Sequence, residues 1–144
     1  MKIVTSFDDD VLKQYESRGS SAFFTIFFEE AGNAYPSASW MDFGGVIVGW
    51  WIMATIQLLN GESPQNFYFM DGPFCLKMEL ASDREKVTCS NDKEAICWTI
   101  SLVDLVAELK RAANTVIRHL SQMNVDEKGR NSLQSGLTML AGLK

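Results

Sequence analysis

The sequence is poor in the side chains that carry most site chemistry. It has one histidine, His119, and three cysteines, Cys75, Cys89 and Cys97. With no second histidine or cysteine at ligand spacing, no metal-binding pattern is present. Three widely separated cysteines give neither a Cys-x-x-Cys unit nor a disulfide framework, so reduced thiols in a cytoplasmic setting are expected. No Gly-rich phosphate loop occurs, because Gly44-Gly45 is not followed by Lys-Ser or Lys-Thr. No nucleophile elbow surrounds Ser20, Ser21 or Ser101. Neither a cofactor nor an enzyme activity is therefore expected. Long apolar runs are also missing. The most apolar segment, residues 46–59, is interrupted by Gly49, Thr55 and Gln57 and falls short of the roughly 20 residues that cross a bilayer. The aspartates at Asp8, Asp9 and Asp10 stand where a secretory peptide needs apolar residues, so neither export nor a membrane partner is expected. Basic residues are outnumbered, 13 against 18 acidic, for a net charge of -5. Phosphate binding needs clustered Lys and Arg, so direct nucleic-acid binding is disfavoured and a basic partner is favoured.

What remains is an ordinary folded composition. The 144 residues are 47% apolar and 22% charged, which predicts one domain over 1–144 rather than disorder. Aromatic and β-branched residues crowd both faces of Ala22 to Glu29, a central strand by pattern. Gly32 to Ser39 reads as a loop leading to a partly exposed Trp40. From about Trp40 or Asp42 to Leu59, with Asn60-Gly61 as the stop, the pattern is a core helix apolar on all sides. Asn66 to Leu80 alternates about Asp71-Gly72-Pro73 as a hairpin, and Lys86 to Ser90 and Ala95 to Ile100 add two strands. Ser101 precedes a helical stripe from Leu102 to Leu120, with Asp104 at capping-box spacing. A last helix is expected over Lys128 to Leu143. The fold class is α+β: an antiparallel sheet of about four to five strands packed against one buried apolar helix and two C-terminal amphipathic helices.

Candidate constellations are few. Asp42 and Asp71 are a possible carboxylate pair, but their places at element ends suit capping and turn bonds. His119 reads as a structural or surface residue of the long helix. Asp8-Asp9-Asp10 is either the N-terminal cap and dipole partner of a short helix, Val11 to Ser17, or part of a binding surface. Trp50-Trp51 and Phe23, Phe24, Phe27 and Phe28 are either core or the wall of a small-molecule pocket. Charge is uneven: residues 1–109 hold sixteen acids and seven bases, residues 110–144 two acids and six bases. The candidate partner-binding surface is accordingly acidic: Asp8, Asp9, Asp10, Glu29, Glu30, Asp83, Glu85, Asp92 and Glu94.

Three segments, Trp40-Met41-Asp42-Phe43, Trp50-Trp51 and Phe67-Tyr68-Phe69-Met70-Asp71-Gly72-Pro73-Phe74, together resemble a set found in small bacterial proteins encoded beside polymorphic toxins. The chain is similar to immunity proteins of contact-dependent growth inhibition systems over roughly its middle half. The resemblance implies a protein without catalytic residues that neutralises a cognate toxin domain by covering its active site. A basic nuclease is the toxin whose surface an acidic inhibitor matches. The competing expectation is a small-molecule-binding or protein-interaction domain that uses the aromatic cluster without catalysis.

Overall fold

A computed structural model describes residues 1–143. Eight strands form two antiparallel sheets, four strands in each, and four α-helices complete an α+β chain. The single expected sheet is thus two, because three short strands lie in segments whose sequence carries little alternation.

The first sheet is built around β2 (Phe24–Glu30), the apolar strand expected to be central. β1 (Lys2–Ser6) pairs along one side of it, with Ile3 opposite Phe28. β3 (Asn33–Tyr35) and β4 (Met41–Asp42) share the other side. The expected loop over Gly32 to Ser39 therefore contains a strand. Ala31 and Gly32 both have positive φ, 50° and 82°, the backbone of a two-residue turn whose twist suits a hairpin. That turn folds β3 straight back onto β2.

The second sheet is a meander of β5 (Gln65–Tyr68), β6 (Cys75–Leu80), β7 (Lys86–Asn91) and β8 (Ile96–Ser101), in that spatial order. These are the four neighbours expected from the sequence. A single 3-10 turn, Asp92–Glu94, joins β7 to β8.

The helices are α1 (Asp9–Ser17), α2 (Gly44–Leu59), α3 (Leu102–Met123) and α4 (Glu127–Ala141). Ser101 caps α3, its Oγ accepting the Asp104 N–H at 3.0 Å, which satisfies one of the otherwise unpaired donors of the first turn. One apolar cluster takes residues from every helix and both sheets, among them Ile3, Leu12, Phe28, Trp51, Phe67, Val87, Leu109 and Leu137. α2 lies at its centre, buried through Trp51, Ile52, Thr55 and Leu58. It is not covered on all sides, however. Trp50 and Met53 each retain 43% of their surface and, with Gln57, form an exposed stripe. Trp50, not the half-buried Trp40, is the more exposed tryptophan. Gly44 opens α2 directly over the Phe24 ring, and a Cβ there would overlap the ring carbons. A glycine is what allows this close approach of helix to strand.

Candidate partner-binding surface

The two aspartates considered for acid–base work are not a side-chain pair. Asp42 is fully buried, and its carboxyl oxygens accept four N–H groups. These come from the Phe43 backbone at 2.7 Å, the Trp40 indole at 3.0 Å, and the Met70 and Asp71 backbones at 3.1 Å each. A group so saturated, away from solvent, is a fastener between the start of α2 and the β5–β6 turn. Asp71 is exposed in that turn and contributes its backbone.

The same fastener explains the three segments that carry the resemblance. The Trp51 indole donates to the Tyr68 carbonyl at 2.9 Å and stacks on Phe67 at 5.7 Å. Trp40 stands edge-on to Phe74 at 5.0 Å and to Phe69 at 6.3 Å. Through Trp40, Asp42, Trp51, Phe67 and Phe69 the three segments meet in the core and hold α2 against the second sheet, while Trp50 faces outward. Of the aromatic cluster, Phe24, Phe27, Phe28 and Trp51 are packed in the core, whereas Phe23 is half-buried and Trp50 keeps 43% of its surface exposed.

Other buried polar contacts join the two sheets and their helices. The Tyr35 hydroxyl donates to the Cys75 carbonyl at 3.2 Å and accepts the Cys75 N–H at 3.1 Å and the Asn91 amide at 3.0 Å, tying β3 to β6 and β7. Burial raises the Tyr35 pKa, partly offset by those donors. Asp126 caps α4 through the Gly129 N–H at 3.1 Å and also accepts the Ala22 N–H at 3.0 Å. Burial pushes the Cys89 thiol up to about 12. Neither the Tyr35 network nor the Asp126–Ala22 bond is legible in the sequence, because they join residues 40 to 104 positions apart.

The nine acidic residues separate into distinct places. Asp8 is the cap of α1, accepting the Asp10 and Val11 N–H groups at 3.0 and 3.3 Å. Asp9 bonds His119 at 2.8 Å, and the His119 ring stacks on Phe7 at 4.1 Å, so the lone histidine pins α1 to α3. Asp10 is exposed. Glu29 and Glu30 end β2, half-buried, with Glu30 contacting the Met1 amino group. Glu30 lies opposite Asn33 in the hairpin, and Asn33 shares a groove of about 300 Å³ with Glu94. These residues therefore approach the same end of the molecule as Asp92 and Glu94. Asp83 and Glu85 do not. They lie in the β6–β7 turn, whereas Asp92 and Glu94 lie in the β7–β8 turn. Consecutive turns of a meander fall at opposite ends of the strand they share, so six-residue β7 separates the two acidic pairs by roughly 20 Å. The four do not form one patch.

Sheet edges are the second feature sequence reasoning missed. Ile3, on edge strand β1, has both main-chain groups taken by α3. Its N–H donates to Glu108 Oε2 and its carbonyl accepts from Arg111 Nη2, each at 2.6 Å, while Glu108 and Arg111 bond each other. On the other side of that sheet, β3 and β4 are three and two residues long. In the second sheet, edge strand β5 has its Tyr68 carbonyl occupied by Trp51. β8, six residues long, has no main-chain or side-chain partner along its outer side among the described residues.

An apolar groove of about 650 Å³ lies between the start of α3 and the end of α4, lined by Leu59, Leu102, Val103, Val106 and Leu140, with Arg84 at its margin. It contains none of the aromatics. Among the described residues no cluster of three or more His, Cys, Asp or Glu could hold a metal ion, and no helix is long and apolar enough to cross a membrane. No protein family, no curated protein and no solved structure matches the chain.

Proposed function

We propose that the chain is an immunity protein: it binds a cognate toxin domain, a basic nuclease, and neutralises it by covering the active site with an acidic surface. The observation that carries this reading is a set of exposed carboxylates outside any ion pair. Among the described residues Asp10, Asp83, Glu85, Asp92 and Glu94 are exposed, and none forms an ion pair. Carboxylates without counter-ions raise the rate of encounter with a cationic partner and match the surface that a nuclease offers to phosphate. The resemblance carried by Trp40, Asp42, Trp50, Trp51 and Phe67 to Phe74 supports the same class. Trp40, Asp42, Trp51, Phe67 and Phe69 are buried or half-buried and support the fold of such a protein, whereas Trp50, Tyr68 and Met70 are exposed. For the small-molecule alternative, four of the six aromatics of the cluster are packed in the core, and an apolar groove lies elsewhere, between α3 and α4.

The test is co-expression with the C-terminal domain of a large secreted protein encoded immediately beside this chain. Growth rescue and a stable co-purifying complex support immunity. Toxicity unrelieved by the chain, with no complex, removes the reading.

A further inference from the structure

We infer that β8 is a docking edge that takes up an extended, basic segment of the partner as an added strand; the inference rests on the partner reading above and names its mode of contact. Leu102 donates its N–H to the Glu85 carbonyl at 2.8 Å. In an antiparallel ladder the paired residues alternate, so Ile100, Trp98 and Ile96 turn their main-chain groups to β7. Cys97 and Thr99 turn theirs outward, and their side chains are exposed as well. An open edge is a template for another strand, and folds normally blunt it with cover, shortness or charge. Here β1 is covered, β3 and β4 are short and the Tyr68 carbonyl of β5 is occupied, so β8 stands out as the long edge left open.

The occupant follows from charge. The acids that fail to form a single patch bracket β8: Asp92 and Glu94 at its start, and Asp83, Glu85 and the exposed Asp104 at its end. The bases nearby are Lys93 at the start, Arg84, Lys86 and Lys110 toward the end, and Lys77 on the exposed face beside Cys97; Arg84 is already turned to the Leu59 carbonyl at 3.1 Å and Lys77 pairs with Glu79 at 3.7 Å. Antiparallel pairing with a second copy would set the acidic start of one β8 against the acidic end of the other, and like charges repel. A partner strand carrying Lys or Arg meets carboxylates at both ends. Main-chain bonds then supply affinity and the flanking charges supply selection.

The probe is a short capped peptide of alternating lysine and valine, titrated into the full chain and followed by amide hydrogen exchange. Binding should slow exchange at Cys97 and Thr99 by about tenfold or more, as ladder bonds form there. Thr99→Pro removes an outward donor without costing a bond to β7 and is tolerable on an edge strand; it should weaken binding by at least about tenfold. Cys97→Pro serves if Thr99→Pro does not fold, and the wild-type exchange pattern decides if neither does. Unchanged exchange at both amides, equal binding by Thr99→Pro, or equal binding of a glutamate–valine peptide overturns the inference. A dimer in sedimentation whose Cys97 and Thr99 amides are protected without peptide overturns it in favour of a second copy. Growth rescue by the chain with β8 unprotected in the toxin complex removes the edge and leaves immunity standing; peptide pairing without any rescue does the reverse.

Discussion

Asp42 accepts the backbone N–H of Asp71 at 3.1 Å, so the two aspartates are joined through the main chain of one and not through facing carboxylates. A proton-shuttling pair needs two side chains open to a substrate, and here one is sealed in the core. Asp42→Asn should therefore act on stability. Its amide replaces an acceptor with a donor that faces N–H groups, leaving buried donors unmet at a cost of about 2 to 4 kcal/mol. Urea unfolding measures it; a change of under about 0.5 kcal/mol, the size seen at ordinary surface sites, would show that the fastener contributes nothing.

The Glu108–Arg111 clamp on Ile3 predicts an acid-sensitive margin. Burial raises the Glu108 pKa, but the bonds from Arg111 and the Ile3 N–H outweigh it and leave the group below its ordinary value. A carboxylate depressed on folding contributes stability in full above its unfolded pKa of about 4.3, and the contribution is lost as pH falls through the lower folded value. Glu108→Gln should flatten the fall of unfolding midpoint with pH in that acidic window and have a constant effect above it. Parallel wild-type and variant curves across the window would exclude a titrating role.

Charge reversal at the two turns should act independently. At physiological salt the screening length is about 8 Å, shorter than the roughly 20 Å between the turns. Asp83→Lys with Glu85→Lys, and Asp92→Lys with Glu94→Lys, should each slow association with the toxin domain. The logarithms of the two effects should add in the fourfold variant. Stopped-flow association at several salt concentrations reads this; strong non-additivity would mean that one partner residue spans both turns.

Thiol reactivity should follow burial. Cys97 is exposed, whereas Cys89 is buried with its thiol pushed up to about 12, and the thiolate is the reactive form. Limited alkylation of the native chain followed by peptide mass spectrometry should label Cys97 first and Cys89 only on unfolding. Early labelling at Cys89 would indicate that the second sheet opens readily.

Local patterning was enough to locate most elements. β2, the β5–β8 meander, α3 with its Ser101 cap, and α4 stand where spacing of apolar residues and turn formers puts them, since those signals reside within a few neighbouring residues. β1, β3 and β4 were not legible. They are five, three and two residues long and are strands only because β2 lies beside them. The short helix expected from Val11 begins at Asp9, one residue after the cap that Asp8 supplies.

What the sequence by itself determined is the α+β class, the acidic charge and the core segments, because composition and period are properties of the chain alone. Tertiary structure decided everything that depends on which distant residues meet. It made Asp42 a fastener and bound His119 to Asp9. It put Asp83 and Glu85 at the far end of a strand from Asp92 and Glu94, and it covered the edge at Ile3 while leaving β8 open. Pairing order within a sheet and the packing of a helix against an edge arise from long-range contacts, whose partners no local spacing encodes.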